Sequence, residues 1–450
     1  MQPGPAHRAG SAPNHLAADA IVAVTGVGLG ASVASAIGSL DAHVMHAPGG
    51  FEVAVGRFTG LTGAYLLLVM VVLVARLPPL ERLIGHPRLT RWHRRLSPWP
   101  LVLLTVHAAA SMIGYAKLQR TGLWHEFGVA LSHYEGMLGA IAALALLVAV
   151  AALSIRAARR RMSHETWWQL HLLTYLALAL SFSHQIATGA SFVHHPLARL
   201  VWTLLWLSTA GVVLICRVAL PAWRTAYHSI RVVKVVRESD DVVSLVVKGR
   251  RLERLAVSGG QYFHWRFLTR GFWVHAHPYS LSALPRPPYM RVTIKGLGAH
   301  SSAVARLKVG TRIAIEGPYG TFTKHALTER RVALIAAGVG VTPVRALLED
   351  LPAVAEPVVL LRAASEEEVL LGNEVTELAT ARGGRVLGAF GSRHRLRLDP
   401  QTLRANIPDL PERDVFICGP EPFTKEVARA ARRAGAARRA DPSRGLRRLR

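Results

Sequence analysis

The hydrophobic pattern changes character near residue 220. Before that point apolar runs of membrane length recur, separated by short polar stretches; beyond it apolar and polar residues alternate in short segments. About 20 consecutive apolar residues are needed to cross a bilayer as a helix. Six such spans are expected, at 20–40, 57–77, 93–113, 136–155, 168–187 and 197–219. The second, fourth and sixth carry the clearest runs (GLTGAYLLLVMVVLVA, MLGAIAALALLVAVAAL and LVWTLLWLSTAGVVLIC). The first is diluted by Gly26, Gly28, Gly30 and Gly38. Gly26, Gly28 and Ala31 also spell Gly-x-Gly-x-x-Ala, but a dinucleotide fingerprint needs a βαβ unit, and here another apolar span follows. Gly26 and Gly30 are instead expected to permit close helix packing.

From Ile230 the pattern becomes short strands (IRVVKVVRES, VVSLVVKG, QYFHWRFL, YMRVTIKG, TRIAIEGP) separated by turn residues, which predicts a small antiparallel β-barrel over 225–327. From Arg331 strand and helix alternate (RVALIAAG, TPVRALLEDL, PVVLLRAA, EEEVLLGNEVTELA, RVLGAF, DVFICGP), which predicts an α/β doubly wound nucleotide domain over 328–435. The expected organisation is therefore an N-terminal tail (1–19), a six-helix all-α membrane bundle (20–220), these two soluble domains, and an arginine-rich tail (436–450).

Of the 450 residues, 51% are hydrophobic, and most of these precede residue 220. Two cysteines, Cys216 and Cys418, cannot build a four-cysteine iron–sulfur site or a disulfide framework. The net charge of +26 would suit nucleic acid, but its placement argues against such a partner. Arg76, Arg82, Arg88 and Arg91 follow the second span, and Arg156, Arg159, Arg160 and Arg161 the fourth. The loops between them hold only Lys117 and Arg120, and none lies between 187 and 196. By the positive-inside rule the basic loops, both termini and the soluble domains are cytoplasmic.

Four histidines form two matched pairs on the third and fifth spans: His93 with His107, and His171 with His184. Spacings of fourteen and thirteen residues correspond to ~21 Å and ~20 Å along a helix. Two such helices side by side offer one imidazole pair near each face of a hydrocarbon layer ~30 Å thick. Imidazoles on both sides of an iron porphyrin form a b-type haem site, so these four are candidate metal ligands for two stacked haems. Fourteen residues return to within about 40° of one helical face, whereas thirteen leave His171 and His184 about 140° apart, a mismatch that curvature, a bulge or differently angled haems must absorb. His133, His164, His194 and His195 lie in loops and read as interfacial polar residues.

In the soluble half, His277-Pro278-Tyr279-Ser280 offers an aromatic to cover a flavin ring and a hydroxyl to reach its N5. Lys295-Gly296-Leu297-Gly298-Ala299-His300-Ser301-Ser302 is a glycine turn opening a short helix, suited to a pyrophosphate. Gly338-Val339-Gly340-Val341-Thr342-Pro343 sits between a strand and its helix, where glycines let the backbone approach a dinucleotide.

This order of motifs resembles the ferric reductase and NADPH oxidase superfamily, a six-helix haem domain joined to a ferredoxin–NADP reductase-like module. The resemblance runs from about Gly56 to Pro422 and includes Gly317-Pro318-Tyr319-Gly320 and Cys418-Gly419-Pro420. It implies that His93 partners His171 and His107 partners His184, that the flavin is FAD, and that Cys418, Gly419 and Pro420 lie beside nicotinamide and flavin. His277 stands where reductase relatives often carry arginine and oxidase-type members also carry histidine. The implied activity is a plasma-membrane enzyme passing electrons from NAD(P)H through FAD and two haems to an extracytoplasmic acceptor: ferric chelate, oxygen or a partner protein. The rival is a haem-bearing or haem-free membrane anchor that feeds a partner. Arg362, with Ser365, Ser392 and Arg393, is expected to read the 2′-phosphate of NADPH, NADH being the alternative. The tail AARRADPSRGLRRLR lacks the edge strand and terminal aromatic expected of such proteins.

Overall fold

The computed structural model describes residues 15–40, 42–193, 195–270, 272–274, 276–392 and 397–436. Arg393, His194 and the tail from residue 437 lie outside the described residues. The chain divides at Val218/Ala219 into a membrane-type unit and a soluble-type unit.

Among the described residues, six helical stretches are long and apolar enough to span a bilayer: Asp19–Gly38, Gly50–Val74, Arg88–Leu118, Met137–Ser154, Thr166–Thr188 and Pro196–His228. The first span is thus helical throughout, as helix α1 (His15–Gly38), and Gly26, Gly28 and Ala31 lie in its middle rather than at a strand–helix turn. One expectation needs correction. A Cβ at Gly26 or Gly30 would meet nothing within 4 Å, whereas at Gly28 it would fall 2.2 Å from the hydroxyl of Tyr65. That hydroxyl donates to the Thr25 carbonyl (3.1 Å), so helix rotation puts Gly28, two residues off the expected face, against α2 (Gly50–Val74).

The histidine-bearing spans are each broken. Helix α3 (His86–Leu96) ends before Ser97, and α4 (Pro98–Leu118) begins at a proline that lacks the N–H to continue the ladder. His93 therefore sits on a short arginine-rich helix and His107 on the apolar one. After α5 (Leu123–His133) and α6 (Met137–Ser154), the fifth span is split at Leu172 into α7 (His164–His171) and α8 (Leu173–Thr188). This interruption falls between His171 and His184, with Leu172 itself staying right-handed helical (φ −65°, ψ −18°). The last span, α9 (Pro196–Leu214), passes through a π-helical turn at Ile215–Ala219.

In the soluble unit, strands β1 (Ile230–Ser239), β2 (Val242–Lys248), β3 (Tyr262–Phe267), β4 (His277–Ser280), β5 (Tyr289–Lys295) and β6 (Arg312–Tyr319) form an antiparallel sheet in the order β4-β3-β6-β1-β2-β5. A bridge between Leu281 and Val292 brings the two edges together. Alternate residues point inward, so Phe263, Trp265 and Phe267 of β3 are wholly buried in one core. A parallel sheet follows, with order β10-β7-β8-β9, from β7 (Arg331–Ala337), β8 (Val358–Ala363), β9 (Arg385–Phe390) and β10 (Arg413–Cys418). Both its faces are covered. Val332, Leu334 and Ala336 pack into one core, and Ala333 and Ile335 into another.

Candidate functional site

In the membrane unit the four histidines meet in two pairs. The rings of His93 and His171 have centroids 6.3 Å apart at an interplanar angle of 79°, and those of His107 and His184 are 6.4 Å apart at 50°. Two imidazoles bound end-on to one metal, with metal–nitrogen bonds of about 2.1 Å and ring radii of about 1.2 Å, would have centroids roughly 6–7 Å apart. The spacing fits an iron porphyrin, whose own four nitrogens supply the equatorial ligands. Among the described residues no group of three or more His, Cys, Asp or Glu could hold a metal ion.

Hydrogen bonds fix three of the ring tautomers. His93 Nδ1 lies 3.1 Å from the Met70 carbonyl and His107 Nδ1 2.7 Å from the Gly56 carbonyl. A carbonyl only accepts, so Nδ1 carries the hydrogen and Nε2 keeps its lone pair for a metal. His184 Nδ1 contacts Thr188 Oγ1 at 2.9 Å, and that hydroxyl already donates to the His184 carbonyl at 2.8 Å. Nδ1–H of His184 is again the donor. His171 differs: its Nδ1 is buried with no hydrogen-bond partner among the described residues, and its ring stacks on Trp167 (5.1 Å, 22°).

Glycines allow these approaches. A Cβ at Gly60 of α2 would lie 2.5 Å from His107 Nδ1. Gly56 and Gly63, on the same helical face, would meet Ser111 and Leu103 of α4. At Gly136 a Cβ would lie 2.7 Å from the backbone nitrogen of His184, and at Gly139 2.7 Å from the Leu180 carbonyl. Thus α2 seats α4, and α6 seats α8.

In the soluble unit, β4 presents His277, Pro278, Tyr279 and Ser280 against β3. The Tyr279 carbonyl accepts from Trp265 Nε1 (3.0 Å), which fixes the strand. Burial pushes the Tyr279 phenol well above its usual range, so it stays protonated. The His277 ring stacks on His300 with centroids 3.8 Å apart, and Phe272 closes over His300 at 4.7 Å. This contact joins the flavin-type motif to the glycine turn, and His300 had no signal in sequence beyond its place in that turn. Ser301 Oγ accepts from the N–H groups of Leu297 (2.9 Å) and Gly298 (3.1 Å), shaping the turn. Ser302 N–H donates to the Gly298 carbonyl (2.9 Å), and Lys295 pairs with Asp241 (3.1 Å).

The glycine loop after β7 meets the turn after β10. A Cβ at Gly340 would lie 2.4 Å from the Cys418 carbonyl and 2.7 Å from the Gly419 nitrogen, so only glycine lets the loop pass beneath Cys418-Gly419-Pro420. Gly338 adopts a left-handed φ of +55° with open space beside it, while Thr342 and Pro343 are buried at the start of α10 (Val341–Asp350). Cys418 is buried, which pushes its thiol up to about 12 and keeps it neutral. Arg362, at the end of β8, donates to the carbonyls of Ala363, Ala389 (2.9 Å) and Gly391 (2.8 Å). It therefore organises the loop that leads to the exposed Ser392. The Ser365 hydroxyl bonds Glu367 and holds that carboxyl below its usual value. Arg291 of β5 grips Glu374 of the helix Gly372–Thr380 through two bonds (2.8 and 2.7 Å) and reaches the Ser282 carbonyl (3.1 Å), tying the flavin-type sheet to the nucleotide-type sheet.

Comparison with known proteins agrees with both halves. Residues 59–182 match the family described as "Ferric reductase like transmembrane component", and residues 334–429 match "Oxidoreductase NAD-binding domain". This chain joins a ferric reductase-like transmembrane domain to an oxidoreductase NAD-binding domain. The ferric reductase-like domain holds all four paired histidines except His184, two residues beyond the match. The relatives found by sequence include the NADPH oxidoreductase of Mycobacterium tuberculosis, 28% identical over 49% of this chain and 60% of that protein. Another is the glycine betaine monooxygenase reductase subunit of Pseudomonas aeruginosa, 27% identical over 46% of this chain and 60% of the relative. The chain thus spans about 60% of the length of these relatives. Among solved structures, the FAD/NAD-binding domain of Vibrio cholerae nitric oxide dioxygenase is 22% identical, covering 46% of this chain and 94% of that one, with a TM-score of 0.38. Flavohemoglobin from Malassezia yamatoensis is 19% identical, covering 89% and 97%, with a TM-score of 0.42.

Proposed function

We propose that this chain moves electrons from cytoplasmic NAD(P)H through FAD and two bis-histidine b-type haems to an extracytoplasmic acceptor such as a ferric chelate or oxygen. When bound, FAD takes up a two-electron hydride and the haems carry electrons one at a time. His93 and His171 would hold one haem, and His107 and His184 the other, each through the Nε2 that Nδ1 hydrogen bonding leaves available where such a bond exists. Tyr279 and Ser280 would face the isoalloxazine, while His277, Lys295, Gly298, Ser301 and Ser302 would line the diphosphate. Gly338, Gly340, Thr342 and Pro343 would admit the nicotinamide dinucleotide, with Cys418, Gly419 and Pro420 at the nicotinamide end. A neutral Cys418 thiol would pack there and exclude water, since at about 12 it supplies no thiolate at neutral pH. Arg362, Ser392 and Arg393 would favour NADPH. The arginine-rich loops would face the cytoplasm of a plasma membrane.

The observation carrying this reading is the pair of imidazole contacts at 6.3 and 6.4 Å, stacked along the same two spans. A dithionite-reduced minus oxidised spectrum of membranes holding the full chain tests it. A six-coordinate b-type α-band at two haems per chain is expected. Its absence under adequate haem supply would leave only an anchored reductase.

A further inference from the structure

We propose that the two haem sites are electronically unequal, with Trp167 and Arg159 holding the His93–His171 site at the higher midpoint potential. The inference rests on the bis-histidine reading above. His171 is the odd ligand of the four in two respects, and both act in the same direction.

The first is the missing hydrogen bond at Nδ1. His107 and His184 donate from Nδ1–H at 2.7 and 2.9 Å, and His93 at 3.1 Å. Such a bond makes Nε2 a stronger base and favours the ferric state. His171 Nδ1 is buried with no partner among the described residues, so its site leans toward the ferrous state. The second is charge. The Arg159 guanidinium lies 4.3 Å above the Trp167 ring, and that ring stacks on His171 at 5.1 Å. A fixed cation one aromatic ring away from a ligand favours the iron state with one less positive charge. Trp167 Nε1 donates to Ser154 Oγ (3.1 Å), which holds the indole in place between the guanidinium and the imidazole.

Electron transfer from this site to the His107–His184 site moves one electron and no proton. With the potentials ordered as inferred that transfer would be uphill, so the His93–His171 site would hold the electron until an acceptor draws on the far site. Trp167 and Arg159 are tuning residues in this scheme, not ligands.

The experiment is a redox titration of the full-length protein in lipid nanodiscs, followed by optical absorbance and by electron paramagnetic resonance. Near-perpendicular imidazole planes (79°) bring two iron d orbitals closer to degeneracy than planes at 50° do. The more anisotropic low-spin signal therefore marks the His93–His171 site without mutation. That signal is expected to titrate at the higher potential. Arg159→Gln, at an exposed position, and Trp167→Leu should each lower that component and leave the other in place. Thr188→Val, which removes the acceptor for His184 Nδ1, should raise only the lower component. The proposal is overturned if the more anisotropic signal titrates lower, if Arg159→Gln moves neither component, or if it moves the other one. A wild-type protein without two low-spin haem signals would overturn the bis-histidine reading itself, a separate and recognisable result.

Discussion

Replacing Gly60 with alanine should empty one haem site and spare the other. Gly60 lies on α2 directly beneath the His107 ring, and an added Cβ would sit 2.5 Å from Nδ1, 2.8 Å from Cε1 and 2.9 Å from Cγ. The ring would have to retreat by about 1 Å to reach ordinary contact, while a metal–imidazole bond tolerates only about ±0.2 Å. Retreat also strains the 2.7 Å bond from Nδ1–H to the Gly56 carbonyl. Overpacking of this kind costs about 1–3 kcal/mol, and a weakened hydrogen bond about 1 kcal/mol. Together, about 2–4 kcal/mol corresponds to between one and three powers of ten in affinity for the haem held by His107 and His184. The control is Gly26→Ala, in a membrane helix where a Cβ meets nothing within 4 Å. Both substitutions raise intrinsic helix propensity by up to about 1 kcal/mol, so a difference between them reports the local clash. Haem per purified chain, measured by pyridine haemochrome, should fall from two to one in Gly60→Ala and stay at two in Gly26→Ala. Two haems with an unaltered spectrum in Gly60→Ala would refute the placement of His107 as an axial ligand.

Three further outcomes are expected. His107→Ala and His184→Ala should each lose one haem while His93→Ala and His171→Ala lose the other; equal loss of both in every well-folded variant, by haem stoichiometry and low-spin resonance, would contradict the pairing. kcat/KM should be higher for NADPH than for NADH, and Arg362→Ala should lower the NADPH value more, because it loosens the loop leading to Ser392; a preference for NADH would show that this strand end does not read the phosphate. Glu374→Gln should weaken the clasp between the two soluble sheets, by about 1 kcal/mol for a partly exposed bidentate pair. Arg291 holds the Glu374 carboxyl below its usual 4.5, so the clasp is complete above that pH and is lost as pH falls through the lowered value in the folded protein. Hydrogen exchange of the full chain should accordingly distinguish wild type from Glu374→Gln at pH 7 and converge in acid; a difference that persists unchanged in acid would assign it to packing.

What the sequence determined by itself is what depends on one segment at a time. Span lengths, the spacing of the histidines along their spans, the alternation of β3 and the strand-to-helix position of Gly338-Val339-Gly340 follow from local periodicity and backbone preference. Even the mismatch at thirteen residues was legible, although the meeting of both rings with their partners was not, because that is decided by how neighbouring helices cross. Only the tertiary structure decided contacts between segments. Helix α1 is apolar on every side, so its pattern contains no preferred face, and Tyr65 of another helix selects Gly28 over Gly26 and Gly30. The acceptors that fix His93 and His107, the Met70 and Gly56 carbonyls, are backbone groups 23 and 51 residues away, which no side-chain motif records. The stacking of His277 on His300 and the passage of Gly340 beneath Cys418 likewise arise only when separate turns converge. Periodicity specifies which face a segment must bury, whereas rotation and crossing between segments specify which atoms meet there.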